Sequence, residues 1–322
     1  MKIKLSLACG DYDRTRALID GTVRIQGIEF IPVILSSPER HKRMLKWEEF
    51  DVCELSMSSY LVAHEQNRDY VAIPVFPHRR FRHGYLFVRE DSEIRHPLDL
   101  VHKRIGVRRF QNTAGLWLRG ILEEYYGVER KNVHWVTEDD EELDIVFPPG
   151  LDVRRIGPED KNLDQCLLKG SIDALIYPQE TLSLNQKDGT RRLFDNYAAE
   201  EMTYFKNTGI FPIMHTVVIH KRILDRYPWV AGEIYKAFCH AKKECYKYLR
   251  DQRKSSLVWH NHYLQEEMGM FGGDPWPYNL KDNEKALNTM IGYSLADGLI
   301  KKKPQLDDLF VSSTLEAEKD EQ

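Results

Sequence analysis

Apolar and polar positions follow a repeating order along the first ninety residues. Residues 2–8 alternate with a period of two and predict a strand. Gly10-Asp11-Tyr12-Asp13 turns the chain, and Asp13 is placed to cap a short helix over 14–19. Residues 27–35 predict a second strand. Ser36-Ser37-Pro38-Glu39 then combines a serine cap, an early proline and an acid near the positive helix end, predicting a helix to about Trp47. A third strand over 51–55 leads into Ser56-Met57-Ser58-Ser59 and a helix over 60–66. Strands follow at 71–75 and 84–89. Strands alternating with helices imply a largely parallel sheet covered on its faces.

The same alternation resumes after Asp91. Residues 96–100 form a short connector, 104–108 a strand, and Asn112-Thr113-Ala114-Gly115 opens a helix to Tyr126 that Gly127 closes. Strands are expected at 133–136, 172–177 and 210–220, and helices at 163–169, 228–250 and 283–297. In the longest helix Val230, Ile234, Ala237, Phe238, Ala241 and Cys245 make one apolar stripe. The acidic run 138–144 reads as a solvated loop or helix start, and the polar tail 316–322 as frayed. No internal repeat is present. The pattern describes two α/β lobes joined by crossings near 88–91 and 204–211. In such a design the ligand lies between the lobes, at the carboxyl ends of strands.

Composition narrows this picture. The 322 residues are 42% hydrophobic and 30% charged, enough for sizeable cores, and the net charge of -4 offers no broad basic field for nucleic acid. No apolar stretch is long enough to span a bilayer. The N-terminus reads as a strand, without the apolar region of a secretory leader. If Met1 is the native start, the protein is expected in the cytoplasm. Five scattered cysteines support neither a disulfide framework nor a thiolate metal site. P-loop, G-x-S-x-G and G-x-G-x-x-G motifs are absent. His64-Glu65-Gln66-Asn67-Arg68 begins like a zinc-binding helix but has arginine where the second histidine is needed. His260-Asn261-His262 would put two imidazoles on one face of a strand, with no third ligand nearby. No cofactor is expected, and a divalent metal is left open, though the ligand spacing does not support one. The oligomeric state stays open, a homo-oligomer included.

Candidate chemistry concentrates in Pro74-Val75-Phe76-Pro77-His78-Arg79-Arg80-Phe81-Arg82-His83, which sets three arginines and two histidines between apolar runs. Guanidinium forks match carboxylates, and a histidine beside them moves protons near neutral pH. A solvated basic turn is the plainer alternative. Ser56, Ser58 and Ser59 lie where a strand becomes a helix, and Thr113 sits at a similar start. Both starts suit anion binding or simple capping. His215 and Thr216 stand in an apolar strand, as a proton carrier or as core. Tyr177 ends a strand, where ligand contacts are favoured.

Read together, the segments 5–15, 50–60, 72–83, 106–120, 211–216 and 275–299 resemble the 4,5-dihydroxyphthalate decarboxylase family along nearly the whole chain. The resemblance implies a two-lobe type II periplasmic-binding-protein-like α/β fold with a ligand cleft between lobes. Lobe one would hold 1–89 and 210–322, and lobe two 90–209. The chain departs from the family at Cys53 and His78, where smaller or hydroxyl residues are expected, and at Gly84, where serine is commoner. The activity implied is loss of CO2 from a small aromatic carboxylate, 4,5-dihydroxyphthalate giving protocatechuate by ring-carbon protonation. In that scheme Arg79, Arg80 or Arg82 holds the retained carboxylate, and His83 and His215 are acid and base. Ser56, Ser58, Ser59 and Thr113 bond the oxygens, and Asp11 and Arg14 orient the histidines or the phenol. Two alternatives use the same residues: a non-catalytic solute-binding protein for a small anion, and another lyase on this fold, like the menaquinone-pathway enzymes.

Overall fold

The strand and helix periods fold into β1 (Ile3–Ala8), α1 (Arg16–Ile19), β2 (Ile28–Val33), α2 (Ser37–Trp47), β3 (Val52–Ser56), α3 (Met57–Glu65), β4 (Tyr70–Ile73), β5 (Leu86–Arg89), β6 (Arg104–Val107), α4 (Thr113–Tyr126) and β7 (His134–Thr137). The chain continues through β8 (Asp152–Arg155), α5 (Leu163–Lys169), β9 (Ala174–Ile176), β10 (Thr190–Arg192), α6 (Tyr197–Thr208), β11 (His215–His220), α7 (Lys221–Arg226), α8 (Val230–Arg250), α9 (His260–Phe271) and α10 (Glu284–Ala296). The structure, a computed structural model, describes residues 2–184, 186 and 189–315, so the tail expected to fray at 316–322 lies outside the described residues.

The chain divides into two compact units. The first holds residues up to Arg79, His215–Leu287 and the chain from Pro304 on. Its sheet has the order β2-β1-β3-β11-β4. The first three strands are parallel, but β11 enters antiparallel between β3 and β4, pairing Val217 with both Glu54 and Ile73. The sheet is therefore mixed rather than largely parallel. Leu5, Leu7, Val52, Ile73, Val217 and Ile219 build its core with Val230, Ile234 and Phe238, the α8 stripe that the sequence pattern marks. Because β3 lies inside the sheet, all five of its residues are buried.

The second unit holds Arg80–Met214 and Asn288–Lys303, around a sheet of order β10-β5-β9-β6-β7-β8. Phe87, Leu163, Cys166, Leu167, Ile172 and Leu175 pack together in its core. Residues 80–89, 210–214 and 288–303, expected in the first lobe, belong to this unit for visible reasons. Strand β5 pairs with β9 and β10, and the Trp117 indole donates to the Ile213 carbonyl at 2.8 Å. Asp297 is held by Arg119 and Arg130.

Other expectations change locally. Residues 260–262 open helix α9 instead of forming a strand, so His260 and His262, two apart, no longer share a face. The crossing expected near 204–211 is mostly helix α6, which ends at Gly209 in the left-handed conformation (φ 67°). The acidic run 138–144 is more than a solvated loop. Glu141 accepts the Phe110 and Gln111 N–H groups at 2.6 and 3.0 Å, and Glu138 caps α5 through the Leu163 N–H at 2.7 Å. All five cysteines are unbridged and buried. Among the described residues no helix is long and apolar enough to cross a membrane.

Candidate active site

The chemistry of the first unit centres on Glu54, an acid at the third position of the buried strand β3, Val52-Cys53-Glu54-Leu55-Ser56. A carboxylate without solvent persists only where several donors replace water. Here each oxygen has two. Oε2 accepts the Gly10 N–H at 2.6 Å, just past the end of β1, and pairs with Arg40 of α2 at 2.8 Å. Oε1 accepts the Tyr12 hydroxyl at 2.8 Å and bonds Nδ1 of His215, the first residue of β11. Burial, the largest influence, pushes the Glu54 carboxyl up. The charges of Arg40 and His215, with the hydrogen bonds of His215 and Gly10, outweigh it and hold the group well below the usual carboxylate range. Arg40 is fixed in turn, donating through Nε to the Glu54 carbonyl at 3.1 Å and through Nη1 to the Leu35 carbonyl at 3.0 Å.

Three imidazoles meet beside this carboxylate. His215 lies 4.7 Å from His41 and 4.6 Å from His78 between ring centroids, edge-on to both. The Tyr12 ring stacks on His78 at 5.8 Å. Burial, then the neighbouring charges of His215 and Arg40, hold His41 well below its ordinary value, so it is a neutral ring. Burial, followed by the Glu54 charge, pushes the Tyr12 phenol up, so it remains a donor. His215 and His41 are each 8% exposed and His78 is half-buried, so His78 is the most exposed ring of the three. A carboxylate on Nδ1 orients the His215 imidazole and fixes its tautomer.

The residues singled out from sequence fall in several places. In the first unit, His215 is in this cluster. Arg14 lies beside it, donating to the Pro77 carbonyl at 3.2 Å and to Asp13 at 2.7 Å, its guanidinium 3.5 Å over the Trp276 ring. Its Nε is buried without a hydrogen-bond partner. Asp11 departs from the orienting role expected of it, because it is exposed and paired with Arg16 at 2.9 Å. Ser56 caps α3: its Oγ accepts the Ser59 N–H at 3.5 Å and the Ser59 hydroxyl at 3.1 Å, with Ser58 at 3.4 Å. Ser56 is also the register partner of His215. Thr216 is buried, its hydroxyl donating to the Ile73 carbonyl at 3.2 Å. Arg79 is buried on Asn283 and the Pro277 carbonyl, and burial lowers it to about 10.

The others belong to the second unit. Arg80 is exposed against the Tyr85 hydroxyl at 3.1 Å. Arg82 is buried, with the Met214 thioether at 2.6 and 3.1 Å and the Pro178 carbonyl at 3.4 Å as acceptors. Burial, then the Arg80 charge, lowers it to about 9. Thioethers are weak acceptors, so the Met214 contacts satisfy the Arg82 guanidinium only weakly. His83 departs from the proton-carrier expectation. It is fully buried among Tyr126, Phe194 and Tyr204, neither ring nitrogen has a hydrogen-bond partner, and burial lowers it to about 4. Thr113 is buried at the first position of α4, behind the Asn112 cap. Tyr177 is half-buried just past β9, and burial, its largest influence, raises it.

Sequence reasoning missed Glu54, Arg40, His41 and Tyr12. One signal was present: an acid inside an apolar run, which reads as an outward position until β11 is known to cover it. Among the described residues no group of three or more His, Cys, Asp or Glu side chains is placed to hold a metal ion.

Comparison with known proteins places the chain. No family model matches it. It is 34% identical over 326 residues to the 4,5-dihydroxyphthalate decarboxylase of Comamonas testosteroni, covering 98% of each chain. It is 38% identical over 185 residues to the protein of that name from Pseudomonas putida, over 55% of this chain and 71% of that one. The periplasmic aliphatic sulphonate-binding protein of Escherichia coli superposes with a TM-score of 0.57 at 13% identity, over 98% of this chain and 99% of that one. The alkanesulfonate-binding protein of Xanthomonas axonopodis pv. citri, bound to MOPS, also gives 0.57, at 12% identity over 98% of both chains. These likenesses show a periplasmic-binding-protein fold, and with the full-length relative they lead to one conclusion: the chain belongs to the 4,5-dihydroxyphthalate decarboxylase family.

Proposed function

We propose that the protein is a carboxy-lyase that converts 4,5-dihydroxyphthalate to protocatechuate and CO2. The observation that carries this reading is the Glu54–His215 pair, a buried ionised carboxylate on Nδ1 of an imidazole that packs against the half-buried His78. Each carboxylate of the substrate is para to a hydroxyl. His215 Nε2 takes the proton of that hydroxyl, and Glu54 stabilises the imidazolium that forms. The phenolate pushes electrons to the para carbon, which takes up a proton and becomes tetrahedral. The bond to the carboxylate then breaks, its electron pair restores the aromatic ring, and CO2 leaves. His215 returns its proton to the phenolate, so the cycle consumes one proton and releases one CO2. Tyr12 keeps Glu54 in place, and Arg14 supplies the cation for the carboxylate that stays.

Incubation with 4,5-dihydroxyphthalate should release CO2 and form protocatechuate. His215→Gln should lower kcat/KM by about 10²–10⁴-fold, the usual worth of a positioned proton carrier. Tight binding without CO2 release overturns the reading in favour of a solute-binding protein. Undiminished release by His215→Gln overturns the choice of base.

A further inference from the structure

We propose that His78 reads the second hydroxyl of the substrate, so that this site selects rings with two adjacent oxygens over rings with one. The proposal rests on the decarboxylase reading above and names the residue that sets its substrate class.

The geometry starts from the backbone. The His215 N–H donates to the His78 carbonyl at 3.2 Å, and the Val217 N–H donates to the Val75 carbonyl at 3.2 Å. Arg14 holds the Pro77 carbonyl between them at 3.2 Å. The segment 75–78 is thereby laid along β11, and the distance between the two imidazoles is set by the main chain. Their centroids are 4.6 Å apart, with planes 62° apart. On its other side His78 is stacked against Tyr12, which Glu54 anchors at 2.8 Å. His78 is therefore a ring held in place before any ligand arrives, and such preorganisation favours recognition.

His215 has two imidazole neighbours, and only one suits this role. His41 is as buried as His215, at 8% exposure each, whereas His78 is half-buried and is the most exposed ring of the three. A ligand whose hydroxyl sits on His215 therefore meets His78 next. The two oxygens of a catechol are carried by adjacent ring carbons. Two imidazoles edge-on to each other can each take one, while a single imidazole cannot hold both. The hydroxyl para to the departing carboxylate goes to His215, and its neighbour bonds to His78. A site built to bond a hydroxyl rejects the analogue lacking it, because its own polar group is left unmatched.

The test compares kcat/KM for 4,5-dihydroxyphthalate and 4-hydroxyphthalate, which keeps one hydroxyl para to a carboxylate and so keeps the chemistry open. The wild type should prefer the dihydroxy acid. His78→Phe keeps the ring and its stacking but removes the nitrogens. It should reduce the preference by about 10- to 100-fold, the worth of one hydrogen bond to a charged or ionising group. His78→Gln, which retains a donor, should recover part of it. An equal loss on both substrates, or an unchanged preference, overturns the proposal, since a merely structural role moves both alike. If the wild type releases CO2 from neither acid, the decarboxylase reading fails separately. The proposal is then judged on the Kd ratio of the same two acids, and a ratio unchanged in His78→Phe overturns it.

Discussion

Among the described residues two carboxylates, one in each unit, are fully buried, and each is held by two basic side chains. Asp297 follows the end of α10. Its Oδ2 accepts from Arg119 at 2.6 and 2.8 Å, and its Oδ1 pairs with Arg130. The Arg119 guanidinium also lies 3.7 Å over the Phe110 ring. Glu54 uses Arg40 and His215 instead. The difference lies in the second partner. Two arginines hold their charge across the ordinary pH range, so the Asp297 triad tethers the end of α10 and can do little else. Histidine as a residue type can change charge near neutrality, so under the proposed function the Glu54 cluster is the one that passes a proton. A buried ion pair is thus a poor marker of function by itself. The informative combination is a buried carboxylate, a titrating partner, and an edge that a ligand can reach.

Substitution tests that contrast directly. Glu54→Gln should have the largest effect, since it strikes both roles of the cluster. It leaves Arg40 buried without its countercharge, a loss of about 3–5 kcal/mol in a denaturant titration. It also removes the orienter of His215, lowering kcat/KM by about 10²–10⁴-fold in whatever remains folded. Asp297→Asn comes next. It should also cost about 3–5 kcal/mol, because two buried guanidinium groups lose their shared carboxylate. Its folded fraction should turn over at a rate close to the wild type. A well-folded Glu54→Gln with full activity would make the two clusters equivalent, as would an Asp297→Asn protein that folds but does not react.

The sequence made much of the architecture legible and hid the centre of the site, for one physical reason. Strand and helix periods are local, so the stripe on α8 and the Ser36-Ser37-Pro38 helix start could be read from neighbours a turn apart. The Glu54 cluster joins Gly10, Arg40, Glu54 and His215, which are far apart in the chain and meet because β1 pairs with β3 on one side and β11 is inserted on the other. Periodicity does not specify strand order. The Pro74–His83 segment drew notice as one basic cluster, yet the two units divide it after Arg79. His78 faces the Glu54 cluster, while His83 sits in an aromatic nest. Two histidines five residues apart, of which the sequence reading favours His83, therefore have opposite environments.

His83 offers the subtlest break of the comparison. Its ring nitrogens are buried without partners among Tyr126, Phe194 and Tyr204, so at neutral pH it packs like an aromatic hydrocarbon. His83→Phe matches that shape and removes the unsatisfied nitrogens. At pH 7 it should change stability by no more than about 1 kcal/mol and leave kcat/KM nearly untouched. Acid should expose the difference. Burial lowers the folded-state value from 6.5 to about 4. Between those values the unfolded chain binds a proton at His83 that the folded chain does not, so stability falls as pH drops through that window. The loss approaches about 3 kcal/mol toward pH 4, and none of it remains above the unfolded value. The wild type should therefore lose stability relative to His83→Phe as pH falls from 7 to 4.5, measured by denaturant titration at both. A hundredfold drop in kcat/KM for a stably folded His83→Phe would instead make His83 a proton carrier, and would mean that an aromatic nest can do what the Glu54 cluster does with a carboxylate.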